Sequence, residues 1–212
     1  MWVEKIGQQL GRPTRSVGGW LVTKFLLWHN RLSEENAVQL SRIQPGDTVL
    51  ELGHGPGLGL ELAAKLLTDP SGHLIGVDYS EYMHKVASKR VKELVASGKV
   101  TLHHCDVAAM PLLDNSVDKV FHSNCYYFWP DLRKVSTEIH RVMKPGGLMV
   151  TTLRLSSLLI AKERGVMSGE NWQPKNYMAA LRDSGFTDVR MEEKQHKHIP
   201  FEVIYATAYK SD

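Results

Sequence analysis

A glycine-rich turn that follows an apolar stretch is the strongest chemical signal in this sequence. The run VLELGHGPG at 49–57 leads from a predicted strand into a G-x-G-x-G turn, and a helical pattern follows it. Glycines at such a turn let the backbone bend sharply and bring its amide groups close to a ligand. The dinucleotide spacing G-x-G-x-x-G is not met, because Leu58 and Leu60 occupy the positions of the third glycine. The turn therefore predicts a ligand site and argues against a nicotinamide or flavin enzyme.

Acidic residues stand in register with this turn along the first three predicted strands. Glu51 lies within the first strand, Asp78 ends the second and Asp106 follows the third. A carboxylate at the end of the second strand is placed to accept hydrogen bonds from both hydroxyls of a ribose. A carboxylate after the third strand is placed to accept from an adenine amino group. The alternative for Asp78 is an N-cap of the next helix, a role that Ser80 fills without it.

Strands and helices alternate along most of the chain, and the strand ends carry these residues. The predicted strands are 47–52, 72–78, 100–104, 118–123, 148–153, 187–193 and 202–209. The predicted helices after the first strand are 60–67, 81–96, 131–143 and 174–184. This alternation favours a mostly parallel sheet with helices on both faces. No helix separates the last two strands, so these must pair antiparallel.

The sequence resembles the class I S-adenosylmethionine-dependent methyltransferases, in particular the small-molecule type related to ubiquinone and menaquinone biosynthesis methyltransferases. The motifs that carry the resemblance are VLELGHGPG at 49–57, GVDYSEYM at 76–83, CDVAAMPLLDNSVDKVF at 105–121 and RVMKPGGLMV at 141–150. The resemblance is weaker outside residues 46–153. It implies an α/β, Rossmann-like, doubly wound sheet of seven strands, mostly parallel with an antiparallel last strand. It also implies S-adenosyl-L-methionine as the cofactor.

The resemblance assigns cofactor-binding roles to individual residues. It places the amino-acid part of the cofactor against Glu51, Gly53, Gly55 and Gly57. It gives the ribose to Asp78, flanks the adenine with Tyr79 and Met83, binds the adenine edge with Asp106 and Val107, and sets Ser123 and Asn124 near the methionine part. His54 departs from the family pattern, where a smaller or apolar residue is expected. Its side chain either contacts cofactor or substrate or points to the surface.

The aromatic segment after the fourth strand, NCYYFWP at 124–130, lies where this family usually lines its acceptor pocket. We expect Tyr126 and Tyr127 to contact the substrate and to be the catalytic candidates, since aromatic faces attract a methylated cationic centre. Phe128 and Trp129 are expected in the core under the next helix. The candidate general bases are Tyr126, Tyr127, His122 and His54, although His122 lies within a strand and is expected to be a core histidine.

An apolar segment precedes the first strand. Residues 17–30, VGGWLVTKFLLWHN, carry aromatic side chains near helical spacing, although the pair Gly18-Gly19 argues against a long rigid helix. Three interpretations remain open: a helix packed on the domain, a lid over the ligand, and a helix at a membrane interface. We predict a helical cap over residues 1–40 that brings Trp20 to the substrate, followed by a methyltransferase domain over residues 41–212.

Composition excludes several other classes of protein. The 212 residues include 26 Lys and Arg against 23 Asp and Glu, without a basic stripe, so we expect no nucleic-acid partner. Cys105 and Cys125, the only cysteines, favour a reducing compartment. No run approaches the ~18–20 apolar residues of a membrane span. We therefore expect a cytoplasmic protein without stable membrane insertion.

The predicted activity is methyl transfer from S-adenosyl-L-methionine to a small-molecule acceptor. Direct displacement would be catalysed mainly by positioning and exclusion of water. The alternatives are a non-catalytic cofactor-binding partner subunit and, less favoured, an arsenite or protein methyltransferase; two cysteines cannot supply a three-thiolate arsenic site. No metal site is expected, because the adjacent His103 and His104 point to opposite faces of a strand. We expect a monomer or a homodimer.

Overall fold

A computed structural model describes Gly7, residues 9–167 and residues 169–210. Among the described residues, Gly7 and residues 9–11 are helical, and the helices α1 (Val17–His29) and α2 (Arg31–Leu40) follow before the first strand. The elements that follow are β1 (Thr48–Leu52), α3 (Leu58–Ala64), β2 (His73–Asp78), α4 (Glu81–Arg90), α5 (Lys92–Ala96), β3 (Val100–His104), β4 (Val117–Ser123), a 3-10 turn (Tyr126–Phe128), α6 (Leu132–Val142), β5 (Met143–Leu153), α7 (Leu155–Glu163), α8 (Pro174–Asp183), β6 (Phe186–His196) and β7 (Ile199–Ala208).

Within the described residues, seven strands form a sheet in the order β3-β2-β1-β4-β5-β7-β6. The pairs β1–β2, β1–β4, β2–β3 and β4–β5 are parallel. β7 is inserted between β5 and β6 and is antiparallel to both. The predicted α/β fold, mostly parallel with a reversed last strand, is confirmed. The strand order reverses between β1 and β4, and open α/β sheets bind ligands at the carboxyl ends of strands beside such a reversal.

Helices cover both faces of the sheet, which is why the central strands are apolar on both sides. In β1, Val49 packs with residues of α2, α3 and α4, whereas Leu50 packs on the other face with residues of α6 and α8. Successive side chains of a strand point to opposite faces, so burial on both sides removes the usual polar alternation. Glu51 shares the face of Val49 and therefore points toward α2 and α3.

The helix α1 has 13 residues and includes Gly18 and Gly19 in its first turn, the pair that was expected to argue against a long rigid helix. Gly19 is needed for close packing, because a Cβ built there would lie 1.8 Å from Thr14 O. Ser16 caps the helix by accepting a hydrogen bond from Gly19 N at 3.0 Å. Among the described residues, no helix is both long and apolar enough to span a membrane.

Other elements differ from the sequence prediction in their limits. The helix expected over 81–96 is divided into α4 and α5, because buried Val91 leaves the helical conformation with φ −103° and ψ 26°. The helix α7 was not predicted, and α2 lies within the helical cap predicted over residues 1–40 without having been given limits of its own. The α2 helix packs against α3, β4 and β5, and it ends at the predicted boundary at residue 40. The division into a cap and a methyltransferase domain stays a prediction.

Candidate active site

A cavity of about 260 Å³ opens at the carboxyl ends of the central strands, where the strand order reverses. The loops after β1, β2, β3 and β4 form part of its wall, and the segment 10–13 with residues of α1 and α2 completes it. The predicted cofactor residues that line it are Gly53, Gly55, Asp78, Tyr79, Met83, Asp106, Val107, Ser123 and Asn124. The fold thus brings separate motifs together in one cavity, while their binding roles stay predictions.

The glycine turn is tied to the end of β2 by hydrogen bonds. Gly53 and Gly55 have φ of 63° and 50°, a left-handed conformation that favours glycine. The amides of Gly53 and His54 both donate to Val77 O, at 2.8 and 3.2 Å. The Gly55 amide donates to Asp78 Oδ2 at 2.8 Å. These bonds place the turn and the β2 carboxylate against each other at the cavity wall.

Asp78 is not the N-cap of α4. Its Oδ1 accepts from the Ser80 amide at 2.7 Å, while Ser80 Oγ caps the helix by accepting from Met83 N at 3.2 Å. The alternative role for Asp78 is therefore filled by Ser80, as expected. Each Asp78 oxygen accepts one backbone hydrogen bond in the structure, and a carboxylate oxygen can accept two. The second acceptor position of each oxygen is available for a ligand hydroxyl.

The N-terminal segment is joined to the strand loops by two hydrogen bonds at the cavity. Ser80 Oγ donates to Pro13 O at 2.5 Å. Asn124 Nδ2 donates to Asn30 Oδ1 at 3.2 Å. Both bonds connect the cap to loops that carry predicted cofactor residues, so the cap forms a wall of this cavity.

Two of the predicted cofactor residues, Glu51 and Gly57, are not among the residues that line the cavity. Glu51 is almost completely buried, and Gly57, with φ of 83°, forms the N-cap of α3. A Cβ on Gly57 would lie 3.1 Å from Ala87 Cβ, so its absence lets α3 approach α4. Gly57 therefore serves the packing of α3 and does not line the cavity, and its predicted place at the cofactor stays a prediction.

Two buried carboxyl groups meet beside the cavity, and sequence reasoning missed one of them. Glu34 of α2 lines the cavity, and a Cβ on Gly59 would lie 2.9 Å from Glu34 Oε2 and 2.3 Å from Glu51 Oε1. Both Glu34 Oε2 and Glu51 Oε2 are buried without a hydrogen-bond partner. The sequence around Glu34, SEEN at 33–36, has the composition of a solvated helix face and gave no signal of burial.

Burial changes the acidity of this pair. It raises the pKa of Glu34 to about 8 and raises the pKa of Glu51 well above its usual range, with the negative charge of Glu34 as a further cause for Glu51. An uncompensated buried carboxylate is costly, so burial favours the protonated form of both groups. A cationic group that reached these oxygens would reverse this preference and favour the ionised form.

The expected pocket tyrosines are not in the cavity, which corrects the prediction for Tyr126 and Tyr127. Tyr126 is fully buried, stacks on Tyr177 with ring centroids 4.5 Å apart, and donates to Trp172 O at 2.7 Å. Tyr127 is half-buried against Tyr126 and the core. Burial raises the pKa of both hydroxyls above the usual tyrosine range, which opposes ionisation of either group.

Phe128 and Trp129 line the part of the cavity where Tyr126 and Tyr127 were expected. Phe128 and Trp129, which were predicted to be core residues, line the cavity, although Trp129 also packs against the core. The physical reason is the 3-10 turn Tyr126–Phe128, which directs Tyr126 inward under β4 and leads Phe128 toward the cap. Phe128 contacts that cap directly, since a Cβ on Gly11 would lie 2.7 Å from its ring.

Trp20, the third predicted substrate residue, also lies outside the cavity. It is 52% exposed on the outer side of α1, and this placement corrects the prediction. The residues of α1 that face the cavity are Leu26 and, directly after the helix, Asn30. The helical spacing indicated the apolar side of α1 but not that this side faces away from the protein.

The two candidate histidines differ in their surroundings. His54 is buried and lines the cavity, with Nδ1 2.9 Å from Gly55 O and Nε2 without a partner, so the surface-pointing alternative is wrong. His122 is a core histidine, as expected: its Nε2 lies 2.9 Å from Tyr177 Oη and 2.8 Å from Thr151 Oγ1. Burial lowers the pKa of His122 to about 3, so it stays neutral. Among the described residues, no cluster of side chains could hold a metal ion.

Known proteins with similar sequences include several methyltransferases. Residues 50–151 match the family model described as a methyltransferase domain. The uncharacterized methyltransferase YdaC of Bacillus subtilis (strain 168) is 33% identical over 168 residues, which cover 79% of this chain and 86% of that relative. A demethylmenaquinone methyltransferase of Listeria welshimeri is 35% identical over 113 residues, 53% of this chain and 47% of the relative, so the match spans about half of its length.

Solved structures give the same picture of the fold. The crystal structure of a SAM dependent methyltransferase from Aquifex aeolicus superposes with a TM-score of 0.66. The match covers 97% of this chain and 98% of that one, at 21% sequence identity. The two folds therefore match over almost the whole of both chains.

Proposed function

The chain belongs to the class I S-adenosylmethionine-dependent methyltransferases, and on that premise we propose that it methylates a small, apolar acceptor by direct displacement. As a member of this family it is an enzyme that uses S-adenosyl-L-methionine. The observation that carries the proposed acceptor class is the composition of one part of the cavity wall. Apolar side chains form it: Leu10, Leu26, Phe128, Trp129 and Pro130.

The polar part of the cavity fits the cofactor. Asp78 has acceptor positions available for the ribose hydroxyls, and Asp106 with the Val107 amide would hold the adenine edge. The buried oxygens of Glu34 and Glu51 that have no partner would receive the cationic ammonium group of the methionine part. Charge-assisted hydrogen bonds of this kind are the stronger ones. These features support the predicted binding roles of Asp78, Asp106 and Glu51, and they add Glu34 to the site.

The chain's own residues act mainly by binding, orienting and excluding water. The cofactor supplies a methyl group that is already activated on a sulfonium sulfur. Holding two reacting groups in the right geometry can contribute roughly 7–11 kcal/mol. The cap closes the cavity through the bonds of Asn30 and Pro13 to the strand loops, which limits water at the reacting atoms. Among the described cavity residues, His54 Nε2 is a neutral acceptor that could receive a proton from an acceptor hydroxyl.

The apolar wall favours an acceptor that is flat or apolar. The Listeria relative is named for demethylmenaquinone, an apolar quinone, and this supports the same class of acceptor here.

We also propose that residues 1–40 act as the cap of this pocket, since Leu26, Asn30 and Glu34 all belong to its wall. The protein is proposed to be a monomer or homodimer in the cytoplasm, with no nucleic-acid partner.

A methyl-transfer assay with matched acceptors tests the proposal. The protein is incubated with methyl-labelled S-adenosyl-L-methionine and separate pools of apolar phenols and quinols, amines, thiols, arsenite and a protein extract. We expect label in the apolar phenols and quinols. Label confined to arsenite or protein would contradict the proposed acceptor class, and cofactor binding without any transfer would favour a non-catalytic partner subunit.

Asp78→Ala is the control for the site itself. We expect it to weaken cofactor binding by about 2 kcal/mol, because hydrogen bonds to a charged group are lost. NAD should give no saturable signal in calorimetry, since Leu58 interrupts the dinucleotide turn. An unchanged dissociation constant for the cofactor in Asp78→Ala would move the ribose site elsewhere.

A further inference from the structure

One face of α1 is apolar and exposed to solvent. Five large side chains at helical spacing form this outer face: Val17, Trp20, Leu21, Phe25 and Trp28. Their exposed fractions range from 44% to 79%. The side of α1 that is buried carries the smaller Gly19 and Thr23 instead. A surface helix normally buries its apolar stripe and exposes its polar one, so the outer face of α1 requires a covering surface.

The sequence of α1 and the segment before it is basic. Residues 9–30 include Arg12, Arg15 and Lys24 and no acidic residue, and the next basic residue, Arg31, pairs with Glu35 at 3.0 Å. Lys24 is exposed on the outer face itself, with Nζ 5.9 Å from the centre of the Trp20 ring. Helices that lie in the headgroup region of a bilayer typically carry tryptophan and phenylalanine together with basic side chains.

We propose that the outer face of α1 binds an anionic lipid surface. The aromatic side chains would enter the boundary between headgroups and acyl chains, and the basic side chains would contact lipid phosphates. The charge pattern favours lipid over a second copy of this chain. In a two-fold dimer identical faces meet, so the two copies of Lys24 would be brought together, and the sequence of α1 contains no acidic residue to pair with them.

Docking in this way would place the cavity beside the bilayer. Leu26 and Asn30 face the cavity from α1 and its C-cap, while Trp20 and Trp28 face outward from the same helix. An apolar acceptor dissolved in the membrane could then reach the cavity along α1. The lipid contact itself does not depend on the proposed acceptor, so vesicle binding and methyl transfer can fail independently of each other.

Vesicle flotation of the full chain tests this proposal. The vesicles contain phosphatidylcholine alone, or phosphatidylcholine with one quarter phosphatidylglycerol. We expect binding to the anionic vesicles that weakens with added salt, and little binding to the neutral ones. The affinity of the double variant Trp20→Ser, Trp28→Ser for anionic vesicles should fall by about tenfold or more, because apolar burial is lost. Leu113→Ser, at an equally exposed residue before β4, is the matched control and should bind as the wild type does.

Two further measurements keep the test decisive if the double variant folds poorly. Lys24→Glu should lower binding to anionic vesicles, and lipids brominated in their acyl chains should quench tryptophan fluorescence of the unaltered protein. Absence of binding to anionic vesicles would overturn the proposal, as would equal binding of the wild type and a folded double variant. A dimer that dissociates in the double variant, without vesicle binding, would assign the outer face to a second copy.

Discussion

The consecutive helices α1 and α2 depart in opposite ways from the usual relation between polarity and burial. The sequence of α1, VGGWLVTKFLLWH, is mostly apolar, yet Trp28 is 78% exposed. The sequence of α2, RLSEENAVQL, is mostly polar, yet beside Ala37 and Val38 it buries Ser33, Glu34 and Asn36. Since burial of apolar surface is the main driving force of folding, it accounts for the packing of α2 through Ala37 and Val38 but neither for the burial of Glu34 nor for the exposed apolar face of α1.

The difference between α1 and α2 indicates where each helix meets something other than this chain. Native proteins tend to break local rules at functional sites. In α2, Asn36 is satisfied by Leu32 O at 2.7 Å and by His196, whereas Glu34 lines the cavity and its Oε2 has no partner among the described residues. We therefore relate the buried acid of α2 to a cationic ligand, and the exposed apolar face of α1 to a lipid surface.

The largest expected effect concerns α2. Glu34→Gln keeps the volume of the side chain and removes its charge. We expect S-adenosyl-L-methionine to bind about tenfold to a hundredfold more weakly, because a hydrogen bond to a charged group contributes about 1.5–3 kcal/mol. The measurement is isothermal titration calorimetry.

Glu35→Gln is the matched control for this prediction. Glu35 is the next residue of α2 and pairs with Arg31 at 3.0 Å near the surface. Exposed pairs contribute little, so we expect less than about a twofold change in cofactor affinity. Equal losses in both variants would show that the burial of Glu34 has no special role in binding.

A pair of glycines tests how α1 is held on the protein. Gly19→Ala should destabilise α1 by about 1–3 kcal/mol, because the added Cβ would lie 1.8 Å from Thr14 O. Gly18→Ala should instead stabilise it by about 0.5–1 kcal/mol, since the nearest atom, Ser16 Oγ, is 3.8 Å away. Hydrogen exchange of the α1 amides measures both effects. The same exchange rates in the two variants would mean that α1 does not pack through Gly19.

The smallest effect is expected on the outer face of α1. Trp28→Ser should change the free energy of unfolding by less than about 0.5 kcal/mol, as most exposed substitutions do. Phe121→Ala, in the core, should cost about 3–5 kcal/mol by comparison. Urea unfolding gives both values. A loss of several kcal/mol in Trp28→Ser would show that its ring is buried in solution.

The sheet and the cofactor loops could be predicted because backbone geometry restricts their residue types. The sequence contains a strand that leads into left-handed glycines, and acidic residues stand at the ends of the neighbouring strands. The position of Gly53, Asp78 and Asp106 at one edge of the sheet could therefore be predicted. The helix limits were less accurate where packing decided them, as at Val91, where the expected helix over 81–96 divides.

The acceptor side of the cavity could not be predicted in the same way. The 3-10 turn after β4 exchanges the expected places of Tyr126 and Phe128, and a run of four aromatic residues contains no signal of which ring faces a ligand. Glu34 was missed because its burial depends on the packing of α2 against β4 and β5, which are far from it in sequence. Trp20 was misplaced because periodicity identifies a face of a helix without saying what the face meets.

We propose that Glu34 of α2 and Glu51 of β1 bind the ammonium group of the cofactor. The pH dependence of ligand affinity tests this proposal most directly. The probe is S-adenosyl-L-homocysteine, the demethylated product. Burial raises the pKa of Glu34 to about 8, so near neutral pH this carboxyl is protonated in the free protein and must lose its proton to pair with an ammonium group. Affinity should therefore rise between about pH 6 and about pH 8, with proton release visible as a buffer-dependent binding enthalpy. Glu34→Gln should flatten the rise. A wild-type affinity that stays constant over this range, or an undiminished rise in Glu34→Gln, would contradict the account.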